Sequence, residues 1–352
     1  MEKPLNNEGN NASPIEETIA RKVGNVSMRF EPYAYIEPPF DLQAAIIRRL
    51  DLKGGEKIID VGDYNGSFLY RLKTQEIHKG DLIGVDPHRH LRMHLVEVGE
   101  SFFFVNPDSF AQNELEGQEN LKLKFLSGIA QNLPVDDNSA DVLSALFMMY
   151  FIPQQEQMQV LQEFKRVLKP EGRLVLTTSG DFNKPRHRLF EELIADSLGI
   201  APPVRMNDGF DSERAAALLP TVFKNVYHCS YKGRMVFKTL QEARAYYHSL
   251  LSMSDHFDPP ISPETMKAQF DTIVLPIIQK EIDTLGNFSD YVERDMFICS
   301  DDSAGLLVTE PGRKKKVRGY EYREPVEAKP SIFTTLLNDK DLNITARHLL
   351  EY

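Results

Sequence analysis

Along the first half of the chain, apolar residues follow two alternating patterns. Short apolar or alternating runs mark strands: Lys57-Ile58-Ile59-Asp60, Asp81 to Asp86, Leu121 to Leu126, Asp141 to Leu146 and Arg173 to Thr178. Between them, apolar positions recur at helical spacing. Asp41 can N-cap a helix running to Leu50, with Leu42, Ala45, Ile46 and Leu50 on one face. Ser67 to Leu72 reads as amphipathic helix, and His88 to Val98 is expected to be helical as well. Pro153 opens a helix through Leu168, and Lys169-Pro170-Glu171-Gly172 stops it. Strands alternating with helices predict a parallel, doubly wound sheet with right-handed crossovers.

The second half is less regular. Arg186 to Leu198 and Asp211 to Leu219 read as helices, and Asn225 to Tyr231 and Arg234 to Phe237 as strands. Thr239 to Met253 and Pro263 to Leu285 are helical, followed by strand-like Asp295 to Cys299 and Gly305 to Thr309. The expected layout is a mobile segment at 1–28, a main domain at 29–310 with a helical insertion or lid at 239–285, and a tail at 311–352. Phe30 to Phe40 is rich in aromatic residues and proline and reads either as a lid over a pocket or as a strap packed on the core. Arg313-Lys314-Lys315-Lys316-Val317-Arg318 reads as a solvated basic loop, with a phosphate or acidic partner as the minority reading.

Composition removes several function classes. A net charge of −11 argues against nonspecific binding to nucleic acid or acidic membranes. Cys229 and Cys299 cannot make a disulfide framework and lack metal-ligand spacing. The start, Met-Glu-Lys-Pro-Leu-Asn-Asn-Glu, has no apolar signal region, and no apolar run is long enough to span a membrane. A cytoplasmic protein is the expectation. His88, His90 and His94 invite a metal reading, but no third ligand or H-E-x-x-H pattern accompanies them. No metal is expected.

The chemistry concentrates where the first strand ends. Asp60-Val61-Gly62-Asp63-Tyr64-Asn65-Gly66 is a tight glycine turn between a strand and a helix. The second strand ends in Asp86, which is placed to accept from both hydroxyls of an adenosine ribose. The dinucleotide fingerprint needs glycine at 62, 64 and 67, and the chain has Gly62, Tyr64 and Ser67.

Four ordered blocks resemble class I S-adenosylmethionine (SAM)-dependent methyltransferases of the small-molecule type. They are Ile59 to Gly66, where Asp60, Gly62 and Gly66 fit D-x-G-x-G-x-G; Gly84-Val85-Asp86; Gly128 to Pro134 with Asp141-Val142-Leu143; and Glu163 to Leu174. The last is similar to the family's E-x-x-R-V-L-K-P-G-G-x-L segment, with Glu171 in place of glycine. The resemblance spans residues 30–310. It implies a Rossmann-like α/β fold, a seven-stranded sheet whose last strand is antiparallel and inserted beside the fifth. Residues 223–237 and 295–309 would supply the final two strands, with a helical lid between them.

The resemblance also implies SAM as cofactor and a small organic molecule as acceptor. Gly62 and Gly66 would bound the loop under the methionine part, and Asp60 would favour its ammonium. Asp86, with Pro87 beside it, would hold the ribose, and Ile129 and Ala130 would flank the adenine. Ala145 and Leu146 would line the methionyl side, with Tyr35 and Tyr150 toward the substrate. Three positions depart from the pattern. Tyr64 replaces the central glycine, Asp63 adds a carboxylate near the methionyl end, and Ile129 replaces an acid that commonly accepts from the adenine amino group, leaving that contact to backbone or Gln131. These departures keep open a non-catalytic, methyltransferase-like binding protein with a degenerate pocket. No [DN]-P-P-[FYW] motif follows the fourth strand, which weighs against N-methylation of nucleic acid or protein amides. Tyr150, His228, His248 and His256 are candidates for a general base, with none singled out.

Overall fold

A computed structural model describes residues 36–37, 40, 42–63, 66–74, 79–87, 94–98, 101–105, 123–180, 183–203, 209–251, 257, 259–310 and 313–323. The expectations for the mobile segment, most of the aromatic strap, the Asp41 cap and the end of the tail lie outside them.

A short strand β1 (Ile36–Glu37) precedes helix α1 (Leu42–Leu50). Then β2 (Ile58–Val61), α2 (Ser67–Thr74) and β3 (Leu82–Asp86) form the first crossover unit. β4 (His94–Val98) and β5 (Ser101–Val105) pair antiparallel. This corrects the helix expected over His88 to Val98 at His94 to Val98, the earlier part lying outside the described residues: Val96, Val98 and the run Phe102-Phe103-Phe104-Val105 carry the β-branched and aromatic residues that suit a pleated ribbon. β6 (Leu123–Ser127), β7 (Ala140–Leu146), α3 (Gln157–Val167) and β8 (Leu168–Thr178) complete the parallel set.

Helix α3 starts four residues later than Pro153 predicts, and β8 follows it directly. A bulge opposite Ala140 and Val142 absorbs Lys169 to Gly172. A Cβ at Gly172 would meet the Lys169 and Ala140 carbonyl oxygens at 2.9 and 3.0 Å.

Next come α4 (Pro185–Leu198), α5 (Ser212–Val222) and the long strand β9 (Asn225–Phe237). Helices α6 (Leu240–Leu251), α7 (Pro263–Gln269) and α8 (Leu275–Leu285) follow, a π-helical turn at Phe270–Val274 joining the last two. The chain ends in β10 (Phe288–Ser300), β11 (Leu306–Glu310), β12 (Arg313–Val317) and β13 (Gly319–Arg323).

The main sheet runs β1-β9-β10-β8-β7-β2-β3-β6, with β13 also on β9. β6, β3, β2, β7 and β8 are parallel, and β10 enters antiparallel between β8 and β9. The seven expected strands are present, and β1 and β13 extend the sheet to nine. Residues 305–309 are not part of it: β11 pairs with β12 in a separate hairpin. The basic stretch is therefore strand rather than loop, and three of its cations have acidic partners. Arg313 pairs with Glu310, Lys314 with Asp51 at 2.6 Å, and Lys315 with Glu321.

Each face of the sheet has its own core. Helices α3 and α5 cover Leu143, Leu174, Leu176 and Phe297 on one side. Helices α1 and α2 and the β11–β12 hairpin cover Val142, Val175, Tyr227 and Ile298 on the other. The β9–β10 ribbon outruns the rest. Asp295 pairs with Thr178, the last residue of β8, so Phe288 to Arg294 extend about 23 Å further at the usual rise per residue. A third, aromatic core packs helices α4, α6, α7 and α8 on this extension around Phe190, Phe237, Tyr247, Phe270 and Phe288. The helical segment thus stands beyond the carboxyl ends of the parallel strands, where open α/β sheets bind ligands. Among the described residues no helix is long and apolar enough to cross a membrane.

Candidate functional site

All four residues of β2 are buried, including Asp60, which is 3% exposed. Its carboxylate is oriented from the neighbouring strand, where Ser144 donates its hydroxyl to Asp60 Oδ1 at 2.6 Å. Ser144 is the register partner of Asp60, so the parallel pairing creates this bond. The turn then reverses on two left-handed glycines, Gly62 and Gly66, both at φ 69°. Gly62 N–H donates to the Val85 carbonyl at 2.8 Å, and Gly66 N–H to the Asp63 carbonyl at 2.7 Å. A Cβ at Gly62 would also meet Met148 Cβ at 2.8 Å. Helix α2 starts at the next residue, Ser67. Tyr64 lies outside the described residues, as does Tyr35.

Asp63 is buried and its carboxylate lies against β3. A Cβ on Gly84 would fall 1.8 Å from Asp63 Oδ2 and 2.7 Å from Phe125 Cδ1. Gly84 is the register partner of Asp60, so the Asp63 carboxylate sits at the height of the last strand residues. Glycine at 84 thus leaves room for an acid at 63.

Asp86 closes β3 half-buried, with Pro87 exposed after it. Gly128 N–H donates to the Asp86 carbonyl at 3.3 Å, which brings the loop after β6 alongside. In that loop Ala130 is buried and Ile129 is 50% exposed. Gln131 is committed elsewhere, since its side-chain amide donates to Glu156 at 2.6 Å. The loop is clamped from α3. Glu163 accepts from Leu133 N–H at 2.7 Å, while Arg166 donates to the Val135 carbonyl at 3.1 Å and back to Glu163. The E-x-x-R pattern of Glu163 and Arg166 is thus a loop clamp. Arg166 holds the Glu163 carboxyl below its ordinary pKa.

At the end of β7, Ala145 is fully buried within the core and Leu146 is half-buried. Phe147 adopts φ 54°, costly for a bulky residue, and its N–H donates to Thr177. Tyr150 lies in a single 3-10 turn, half-buried, its ring 4.6 Å from that of exposed Phe151.

The tertiary structure adds residues that no motif marks. Arg294 sits with its guanidinium 5.3 Å over the Phe147 ring and donates to Ser179 Oγ at 3.1 Å and Asn183 Oδ1 at 2.6 Å. Phe40 stacks on Tyr231, the cross-strand neighbour of Arg294. Burial pushes the Tyr231 phenol up to about 12. These side chains fill the gap between the second and third cores, beside the end of β7. Phe40 belongs to the aromatic stretch at 30–40 singled out from the chain, whereas Tyr231 and Arg294 are signalled only by alternation along β9 and β10, legible once the strand register is known.

The general-base candidates separate. His248 is bound to Asp271 at 2.7 Å within the helical layer, and burial lowers its pKa. His228 lies out on β9 with Asp295 and Tyr320. His256 is outside the described residues. Sequence reading passed over Glu191 on α4, whose carboxyl is pushed up to about 7 by burial and then by Glu192, with His187 at 3.8 Å. Among the described residues no three His, Cys, Asp or Glu side chains are grouped to hold a metal.

Residues 59–176 match the family model of the methyltransferase domain. The demethylmenaquinone methyltransferase of Staphylococcus saprophyticus is 28% identical over 130 residues, 37% of this chain and 47% of that protein. The one from Shouchella clausii is 27% identical over 148 residues, 42% and 54% of the two chains. The chain spans about half the length of the curated relatives it matches. A solved SAM-dependent methyltransferase from Aquifex aeolicus aligns with 51% of this chain and 90% of its own at 19% identity and a TM-score of 0.32.

Proposed function

Starting from the class I methyltransferase core carried by residues 59–176, we propose that this chain transfers a methyl group from SAM to a small organic molecule. The observation that carries the reading is the turn after β2. It combines a Ser144-oriented acid at 60, left-handed glycines at 62 and 66, and a second acid, Asp86, at the end of the adjacent strand.

These residues fit the chemistry of the cofactor. Asp60 suits an ammonium, Asp86 suits two vicinal hydroxyls, and the N-terminus of α2, where helix geometry leaves N–H groups without intrahelical acceptors, suits a carboxylate. Gly62 and Gly66 let the backbone approach closely. SAM supplies an electrophilic methyl with a good leaving group, so the protein's task is to orient the acceptor and exclude water. The half-buried Phe147, Arg294, Tyr231 and Phe40 line the acceptor side in this reading, with the α4, α6, α7 and α8 layer beyond them. Aromatic surface with a positioned cation, Arg294, favours a small, partly planar acceptor over nucleic acid, as does the net charge of −11. We place the protein in the cytoplasm.

One observation favours a second reading, a ligand-binding protein that does not transfer methyl groups. Ile129 stands exposed where the family uses an acid, and the Gln131 amide is already bound to Glu156. Adenine recognition then rests on backbone alone.

Calorimetry with SAM and S-adenosylhomocysteine decides the first point: both bind, and silence from both at millimolar concentration would end the cofactor claim. Asp86→Ala weakens SAM by about 1.5–3 kcal/mol, the scale of hydrogen bonds to a charged group, with little change in melting temperature of the ligand-free chain. An unchanged dissociation constant would remove Asp86 from the site. Binding without turnover across a broad panel of phenols, thiols and amines would favour the second reading.

A further inference from the structure

Four strand spacings from the glycine turn, about 19 Å at the usual separation, β9, β10 and β13 bring together an acid, an imidazole and a phenol. His228 Nε2 lies 2.7 Å from Asp295 Oδ1, and Nδ1 lies 2.8 Å from Tyr320 Oη. A carboxylate only accepts, so Nε2 carries the hydrogen. Nδ1 is then the acceptor for the Tyr320 hydroxyl. Asp295 is 2% exposed and His228 6%, whereas Tyr320 is 44% exposed. Tyr320 is therefore the exposed member of the three, with a base already hydrogen-bonded to its hydroxyl.

The imidazole has little freedom to turn. Phe297, its register partner on β10, stacks on it at 4.0 Å and 21°, and Tyr322, its partner on β13, closes the other side at 4.7 Å. The acid is not saturated by this arrangement. Asp295 Oδ2 is buried with no hydrogen-bond partner among the described residues, and so is the hydroxyl of Ser230 directly across the ribbon. A tie between strands would need only one bond from the histidine. It would not require a buried carboxylate to leave one oxygen unsatisfied, a feature that calls for an explanation of its own.

We propose that Tyr320 is a nucleophilic modification site that accepts an acyl group from an activated ester, with His228 as general base and Asp295 orienting it. The phenol oxygen bonds to the acyl carbon as its proton passes to His228 Nδ1. The ester C–O bond breaks, the alcohol or phenol leaves with the bonding pair, and the imidazolium returns its proton to solvent. The product is O-acyl-tyrosine, and no oxidant or reductant is involved. Base assistance is needed because burial, then Tyr322 and Asp295, raise the Tyr320 pKa, so the phenol does not ionise unaided. The arrangement follows the logic of acid–histidine–hydroxyl triads, recognised by geometry rather than sequence position.

The test uses the full chain and 4-nitrophenyl acetate. Release of 4-nitrophenolate is followed by absorbance, and the acetyl group is mapped by peptide mass spectrometry. Tyr320 takes the label faster than any other of the 13 tyrosines. Tyr320→Phe removes the fast phase, and Tyr291→Phe, a control on β10 outside the cluster, keeps it. His228→Gln slows labelling of Tyr320 by about a hundredfold, the lower end of general-base assistance, while near-UV circular dichroism checks that the fold is retained. Acetyl spread over tyrosines and lysines without preference for Tyr320 would overturn the proposal in the native chain alone, whether or not the histidine variant folds. So would a folded His228→Gln chain that labels at the native rate.

Discussion

The glycine-turn edge and the β9–β10 ribbon are both polar regions at the carboxyl end of one sheet, yet they are held together differently. In the loop after β6, which borders the turn, the ties are shorter in sequence and half-exposed: Glu163 to Leu133 spans 30 residues, and Arg166 lies three residues beyond Glu163, while the buried Ser144 bond to Asp60 beneath the turn spans 84 residues. In the ribbon the ties are long and buried. Arg186 forms a bidentate pair with Glu281, 95 residues away, with side-chain exposures of 12% and 7%. Asp290 accepts from the backbone N–H of Arg186 and His187, 103 to 104 residues away, and from the Tyr247 hydroxyl at 2.9 Å. Local clamps leave a loop able to adjust around a ligand. Buried ions instead fix one arrangement of four helices, because each lost partner leaves a charge out of water.

The contrast is broken most sharply at the buried pair. Arg186→Met strands Glu281 and costs about 3–5 kcal/mol in urea unfolding, and adding Glu281→Leu recovers much of it. A single-variant cost near zero would mean that aromatic packing alone fixes the helices.

At the turn, Gly84→Ala costs about 2–3 kcal/mol, since its Cβ would fall onto the Asp63 carboxylate. Asp63→Ala in the same chain restores most of that stability. If it does not, the clash with Phe125 is the dominant one.

Glu191 sharpens the comparison through pH. Its folded-state pKa is raised to about 7 from 4.5, so the native state holds a proton that the unfolded chain releases. Its stabilising contribution is full below the unfolded value and is lost as pH rises through about 7. The loss is about 2 kcal/mol, given the partial exposure of the group. Glu191→Gln flattens stability over that window, and an unchanged slope in denaturant titrations would assign it to other groups.

The smallest effect is expected at the clamp. Glu163→Gln removes a charge-assisted acceptor for Leu133 N–H and costs about 1–1.5 kcal/mol. Hydrogen exchange rises at residues 128–135 and not in the ribbon helices. Equal acceleration in both regions would show that the two are one cooperative unit.

The parallel half was legible because its elements repeat a short-range code. Lys57 to Asp60, Asp81 to Asp86 and Asp141 to Leu146 are largely apolar runs that a sheet covered on both faces can bury, and the strands fall within a residue of them. The helix over His88 to Val98 failed because spacing alone cannot separate a short amphipathic helix from an alternating ribbon. The basic run failed for a related reason. Four consecutive basic residues, Arg313 to Lys316, carry no alternation and look like a loop until Asp51, Glu310 and Glu321 come alongside. In the candidate site, Asp60, Gly62, Gly66 and Asp86 were recognisable from the chain, and Arg294, Phe147 and Glu191 were not.

By itself, then, the sequence determined the buried parallel strands and where the chain must turn on glycine, though not the β4–β5 ribbon between them. Those properties depend on neighbours within one turn or one pleat. The tertiary structure alone decided which side chain backs which. Register sets Ser144 against Asp60, Gly84 under Asp63, and His228 between Phe297 and Tyr322. Register is fixed by the summed burial of whole strands, and a slip of one residue would turn every side chain to the other face.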